Sequence, residues 1–187
     1  MKVKVYKFGG TSVGSVEKIQ AIADRIIQES DNTRHVVVVS AMGKTTNQLI
    51  DLANGISTRP DSREYDALIS TGENVSASLL SMSIISKGGK AISLSGSQAG
   101  IFTCNGHKRA KIINVKPDRI QQELNQNKVV VVTGFQGISD QNNVTTIGRG
   151  GSDTSAVVLA AALGLDECDI YTDVDGVYTT DPRLVAG

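Results

Sequence analysis

Lys2-Val3-Lys4-Val5-Tyr6-Lys7-Phe8-Gly9-Gly10-Thr11-Ser12 opens the chain and sets the reading of its fold. The alternation of lysine with valine predicts a strand over Lys2 to Tyr6, and Lys7 to Ser12 breaks it. Ser15 then begins a run with apolar residues at Val16, Ile19, Ile22, Ala23, Ile26 and Ile27, the period of a helix. Strand, glycine turn and helix make the unit of an α/β sheet. In open sheets of that kind the ligand crevice lies beyond the carboxyl ends of the strands, which puts Lys7 at the mouth with amides and hydroxyls beside it. Taken alone, a lysine at a strand end is as often plain solvated surface.

Working outward, the runs His35-Val36-Val37-Val38-Val39 and Lys128-Val129-Val130-Val131-Val132 are continuous rather than alternating, as strands covered on both faces require. A parallel sheet follows, with further strands at Ala91 to Leu94 and Asp169 to Thr172. Helical segments are expected at Thr46 to Ala53, Glu73 to Lys87, Asp118 to Asn127 and Thr154 to Leu163, and this alternation predicts an α/β sandwich. Two stretches read as antiparallel hairpins: Ile101 to Thr103 with Ala110 to Val115, and Phe135 to Ile138 with Val144 to Ile147. Asn54 to Asp61, with Gly55, Ser57 and Pro60, reads as a flexible insertion.

Thr145-Thr146-Ile147-Gly148-Arg149-Gly150-Gly151-Ser152-Asp153-Thr154 repeats the pattern of the amino terminus: a strand enters glycines and a helix start. Small residues let a ligand approach the backbone, and Ser152 or Asp153 is expected to cap the following helix, whose first-turn amides suit an anion. Arg149 adds a planar fork for a carboxylate or phosphate. The plainer reading is a glycine-rich connection that only turns the chain.

With 187 residues, 40% of them hydrophobic, the chain is long enough for a real core. Nineteen basic and nineteen acidic side chains cancel, and with 4% aromatic residues nothing suggests a nucleic-acid partner. The cluster His107-Lys108-Arg109-Ala110-Lys111 reads as a solvated loop face. The amino terminus resembles no signal or transit peptide, and no apolar run approaches a membrane span. Cys104 and Cys168 fit no metal spacing, and neither His35 nor His107 has a partner at ligand spacing, so no metal ligand is expected and the thiols are expected reduced, as in the cytoplasm.

Gly43-Lys44-Thr45 ends like a phosphate-binding loop, but the position that needs the earlier glycine is Val38. Gly148 to Asp153 ends in an aspartate that would repel a dinucleotide pyrophosphate. What remains is a sheet mouth that gathers Lys7, Ser40, Thr46, Ser70-Thr71-Gly72-Glu73, Arg149 and Thr172-Asp173. Lysine, arginine and helix amides suit a polyanion, and Glu73 and Asp153 suit a cation. The absence of a serine, histidine and acid constellation excludes little for phosphoryl transfer, where positioning and charge neutralisation dominate. A carboxylate acceptor is already ionised at neutral pH and needs no general base.

Lys7 to Ser12, Ser40 to Thr46, Ser70 to Glu73, Gln98 to Ile101, Gly134 to Gly137, Gly148 to Asp153 and Tyr171 to Arg183 resemble, in that order, the signature segments of the aspartate kinases of the amino acid kinase superfamily. The resemblance implies a three-layer αβα sandwich with a mainly parallel central sheet. It also implies transfer of the γ-phosphoryl group of ATP, with Mg2+, to the side-chain carboxylate of L-aspartate, the first step toward lysine, threonine and methionine. Lys7 and Asp153 would be catalytic, with Asp153 orienting Lys7. Thr46, Glu73, Arg149, Gly150, Gly151 and Ser152 would bind aspartate, Glu73 facing its ammonium and Arg149 its α-carboxylate. Lys7, Phe8, Gly9, Gly10, Ser40, Thr172, Asp173, Tyr178, Asp181 and Arg183 would border the nucleotide, with Gly9 and Gly10 donating amides to the transferring phosphoryl group. Ser97 and Asn74 stand where these kinases often carry tryptophan and glutamine. In the family the kinase domain continues past Arg183 and is followed by regulatory domains of the ACT type. The expectation is therefore a C-terminally incomplete catalytic domain over 1–187 that turns over weakly alone and associates with copies of itself or a complementary chain. Two alternatives stay open: an aspartate- or nucleotide-binding fragment, and a kinase of another acidic metabolite in the superfamily.

Overall fold

The computed structural model describes residues 2–172. In chain order its elements are β1 (Lys2–Phe8), α1 (Val16–Glu29), β2 (Thr33–Val39), α2 (Thr45–Ile56), α3 (Ser62–Ile69), α4 (Thr71–Ser86), β3 (Ala91–Leu94) and β4 (Ile101–Thr103). They continue with β5 (Ile112–Val115), α5 (Asp118–Asn125), β6 (Val129–Thr133), β7 (Gln136–Ile138), β8 (Val144–Thr146), α6 (Gly151–Ala162) and β9 (Asp169–Tyr171). Among the described residues no helix is long and apolar enough to cross a membrane.

The central sheet has the order β3-β6-β2-β1-β9, and every pairing in it is parallel. Its valines divide by the two-residue period of a strand. Val37, Val39, Val129 and Val131 pack with Ile19, Ile26, Leu80 and Ile84 of α1 and α4. Val36, Val38, Val130 and Val132 pack on the opposite face with Ile120, Leu124, Ala156 and Leu159 of α5 and α6. These central valines are 0 to 7% exposed, and each contributes roughly 1.5 to 3 kcal/mol by leaving water. The result is the three-layer αβα sandwich with a mainly parallel sheet.

Both hairpins form, and they join into a second sheet of order β5-β4-β7-β8 through a parallel contact of Phe102 with Ile138. Three expectations need correction. Asn54 to Asp61 is not a flexible insertion: α2 continues to Ile56, and α3 begins at Ser62. Asp61 caps that helix by accepting from Arg63 N at 2.9 Å and Glu64 N at 3.1 Å. Neither Ser152 nor Asp153 caps α6, which starts at Gly151 with Gly150 as its cap in the left-handed conformation at φ 73°. Glycine takes that conformation without a Cβ penalty, so the helix begins earlier than side-chain capping rules predict. Nor does the first strand break at Lys7: β1 runs through it to Phe8 and leaves it 7% exposed, which removes the plainer reading of a solvated lysine.

Candidate functional site

The carboxyl ends of β1, β2 and β6, together with the turn after β8, open onto one cleft of about 720 Å³. Lys7, Gly10, Ser40, Thr46 and Glu73 line it. So do Arg149, Gly150, Gly151, Ser152 and Asp153 from the turn after β8 and the first turn of α6. Residues far apart in the chain therefore converge as expected from strands that all point the same way. Asp173, Tyr178, Asp181 and Arg183 lie outside the described residues, and Thr172 stands at their edge.

Lys7 reaches the cleft from the end of β1, and its Nζ lies 2.7 Å from Asp153 Oδ1 on the first turn of α6. Asp153 is about half exposed and the lysine almost covered, so the pair holds the ammonium in place while leaving the acid open to the cleft. Gly10 sits where chain segments meet: it accepts a hydrogen bond from Gly43 N at 2.9 Å, and a Cβ on it would stand 2.8 Å from Ala41 O. Only a residue without a side chain fits that approach.

Two nucleotide-side expectations change. The Gly9 amide already donates to Tyr171 O at 3.0 Å, continuing the β1–β9 pairing, so it is not directed at a phosphoryl group. The Phe8 side chain is buried and stacks on Tyr171 with ring centroids 4.7 Å apart, which makes it a core residue beneath the site. Strand alternation is the reason: Lys7 and Phe8 are neighbours in β1 and point to opposite faces.

Glu73, in the first turn of α4, is 3% exposed. Its Oε1 accepts from Ala41 N at 3.3 Å, whereas Oε2 has no hydrogen-bond partner among the described residues. Burial pushes this carboxyl up to about 7. Ser40 ties the end of β2 to α4, since its carbonyl accepts from Ser76 Oγ at 2.7 Å. Arg149 lies in the turn between β8 and α6 and pairs with no carboxylate among the described residues. Thr46 and Ser152 present hydroxyls from the first turns of α2 and α6, and neither of those helices is closed by a side-chain cap. One wall thus offers cations and amides, and another offers a buried carboxylate with an open oxygen. Such a site suits a ligand bearing both signs of charge.

The cleft also contains residues for which sequence reasoning assigned no role: Asn47, Ile50, Tyr65, Ile69, Phe135, and above all Lys108 and Arg109. The cluster His107 to Lys111 is the exposed loop face expected of it at Lys108, Arg109 and Lys111, but Lys108 and Arg109 also line the cleft. His107 Nδ1 lies 3.0 Å from Asp66 Oδ2, which ties the turn to the rim of the cleft. That contact joins residues 41 apart in the chain, which no local pattern announces. Phe135 sits at φ 69°, a conformation a sequence betrays only when glycine or asparagine occupies it. For Tyr65 and Ile69 a signal existed: Asp61 followed by Glu64 is a helix-start pattern.

Comparison with known proteins agrees with this geometry. The amino acid kinase family profile matches residues 2–186. The chain is 58% identical to an aspartokinase of Bacillus sp. (strain MGA3), a match that covers 99% of this chain and 45% of that protein. It superposes on an aspartate kinase from Synechocystis with a TM-score of 0.81 and 52% identity, covering 98% of this chain and 30% of that one. It also superposes on E. coli aspartokinase III in complex with aspartate and ADP, with a TM-score of 0.84 and 28% identity over 99% of this chain and 52% of that one. The chain spans under half the length of the curated aspartokinases from Bacillus and Geobacillus that it matches. By profile, by sequence and by superposition, the chain belongs to the amino acid kinase family.

Proposed function

We propose that this chain carries the amino-acid site and part of the nucleotide site of an ATP-dependent kinase that phosphorylates the side-chain carboxylate of L-aspartate. The observation that carries this reading is Glu73, a buried carboxylate whose second oxygen has no partner among the described residues, in the same cleft as Arg149 and the Lys7–Asp153 pair. An α-amino acid supplies an ammonium for Glu73 and a carboxylate for Arg149, and its second carboxylate then turns toward Lys7. The aspartokinase relatives, among them E. coli aspartokinase III in complex with aspartate and ADP, support the same ligands.

In the reaction an oxygen of the side-chain carboxylate attacks the γ-phosphorus of ATP, the bond from that phosphorus to the β,γ-bridging oxygen breaks, and ADP leaves with the electron pair. No proton moves. The barrier is repulsion between the carboxylate and the phosphate oxygens, and Lys7 lowers it by standing beside the transferring group, its ammonium aimed by Asp153. Charge stabilisation of this kind gains from the near-complete burial of Lys7, because water screens it little there. Magnesium enters with the nucleotide as the magnesium–ATP substrate.

Incubating the protein with magnesium–ATP and L-aspartate, and trapping the acyl phosphate with hydroxylamine, tests the reading. Weak aspartate-dependent ADP release with equimolar hydroxamate is expected of these 187 residues alone, with glutamate, asparagine and N-acetylated acids weaker still. Turnover of one of those acids in preference to aspartate would assign the site to another metabolite, and nucleotide or aspartate binding without turnover would make it a binding module.

A further inference from the structure

Asp66, on α3, is fully buried directly behind one wall of the cleft. Its Oδ2 accepts from Lys108 N at 2.9 Å and Thr146 N at 3.1 Å and lies 3.0 Å from His107 Nδ1. Its Oδ1 accepts from Thr146 Oγ1 at 2.7 Å and Lys108 N at 3.1 Å. One carboxylate thereby joins α3, the turn before β5, and the end of β8, whose continuation carries Arg149. A buried carboxylate surrounded by donors on this scale fixes the segments that supply them.

The turn it fixes is an unusual one. Lys108 holds φ 67°, a conformation that L side chains rarely adopt, with its N–H on Asp66. Its ammonium lies over the Tyr65 ring, 4.7 Å from the centroid. Next to it, Ala110 N donates to Thr146 O at 2.8 Å, and Arg109 Cγ stands 3.4 Å from the Cβ position of Gly148, beside Arg149. Lys108 and Arg109 both line the cleft, and neither pairs with a carboxylate side chain among the described residues. Lys7, by contrast, is already oriented by Asp153.

We propose that Lys108 and Arg109 form a second cationic wall of the cleft that binds the substrate's second carboxylate, and that Asp66 is the positioning residue that sets this wall. The proposal rests on the aspartate reading above. A dicarboxylic amino acid needs more than one cation, and Arg149 can be bidentate to only one carboxylate at a time. Holding one oxygen of the side-chain carboxylate leaves the other free to meet the phosphorus, and rejects the amide analogue, which offers an NH2 group to the same cations.

Steady-state kinetics of Arg109→Gln, Lys108→Gly, Asp66→Asn and the double variant Asp66→Asn/Arg109→Gln test it, with KM for aspartate and for ATP read separately. Arg109→Gln should raise aspartate KM by roughly tenfold, the lower end of what a lost charge-assisted contact costs, with a smaller change in kcat and ATP KM within about twofold. Lys108→Gly should act in the same direction, and Arg109→Lys should recover part of the loss. Asp66→Asn should raise aspartate KM as well, and the double variant should be little worse than Asp66→Asn alone, because the first change has already misplaced the wall. Should Asp66→Asn fail to fold, His107→Leu removes one donor from Asp66 without touching the wall and should show the same non-additivity. Unchanged aspartate KM in both Arg109→Gln and Lys108→Gly, a rise in ATP KM instead, or full additivity would each overturn the proposal. Glu73→Gln separates the two levels: if it weakens aspartate while Arg109→Gln does not, only the wall fails, and if neither does, the aspartate reading fails with it.

Discussion

Glu123 and Glu73 are each 3% exposed, yet what faces them is opposite. Glu123, on α5, receives Arg119 Nε on one oxygen and Lys128 Nζ on the other, each at 2.6 Å. The Lys128 ammonium draws its carboxyl below the ordinary range, and the half-exposed Arg119 shows that the cover is the partners themselves. Glu73 receives a single backbone N–H at 3.3 Å, keeps an oxygen unpartnered, and is pushed up to about 7 by burial. One acid is completed by its own chain. The other keeps an oxygen open among the described residues.

The same contrast runs through the helix starts. Ser15 caps α1 and Asp61 caps α3 through side-chain oxygens. In α2, α4 and α6, whose first turns line the cleft, no side chain closes the helix, and their caps are Lys44, Ser70 and Gly150. Pro117 also leaves α5 without a side-chain cap, but the first turn of α5 does not line the cleft. Away from the site, Glu123 and the starts of α1 and α3 are matched within the fold. At the cleft, Glu73 and the starts of α2, α4 and α6 lack side-chain partners among the described residues, a cost in stability of the kind that binding sites commonly carry.

Breaking the contrast at the charge that acts on the transferring group should have the largest effect. Lys7→Met is expected to lower kcat by on the order of 100-fold or more while changing aspartate affinity less, since it removes stabilisation that matters most in the transition state. Stopped-flow ADP release and calorimetry on the folded variant check both halves. Next in size are Glu73→Gln and Arg149→Ala, each expected to weaken aspartate binding by about 2 to 5 kcal/mol in calorimetry with ATP affinity nearly unchanged. Equal loss of ATP binding would place those residues on the other ligand.

How much of this was legible differs by residue. Lys7, Glu73 and Arg149 could be placed because each follows a strand or opens a helix, and a parallel sheet brings such positions to one end. The sandwich followed from valine runs buried on both faces. Lys108 and Arg109 could not be placed at the cleft, since what anchors their turn beside it is Asp66, 42 residues away from Lys108. Gly9 was misjudged because a glycine amide looks equally available to a phosphate or to a neighbouring strand, and pairing with Tyr171 is visible only in three dimensions. Gly150 displaced the expected cap of α6 because a left-handed cap leaves no side-chain signature beyond the glycine itself.

Two smaller effects of opposite sign sharpen the comparison further. Burial raises Glu73 from 4.5 to about 7, so the folded chain holds a proton there that the unfolded chain releases. The stability it contributes is full below about pH 4.5 and is lost as pH rises through about 7. Glu73→Gln should therefore stabilise the ligand-free protein at pH 8 by on the order of 2 kcal/mol and change little at pH 4.5, read from urea unfolding at both pH values. Glu123 is held below its ordinary range, so its contribution is present above that range and disappears on acidification. Glu123→Gln should cost about 1 kcal/mol at pH 8 and less at pH 4, the reverse dependence.

The most direct measurement is the titration of the Glu73 side-chain carboxyl by carbon NMR, without and with saturating L-aspartate. The ligand-free protein should titrate near 7. With aspartate bound, the ammonium should bring Glu73 down by two units or so, on the scale of an opposite charge at close range. A carboxyl that titrates in the ordinary range when free, or that does not move when aspartate binds, would contradict the account of Glu73 as the anion left open for the ligand.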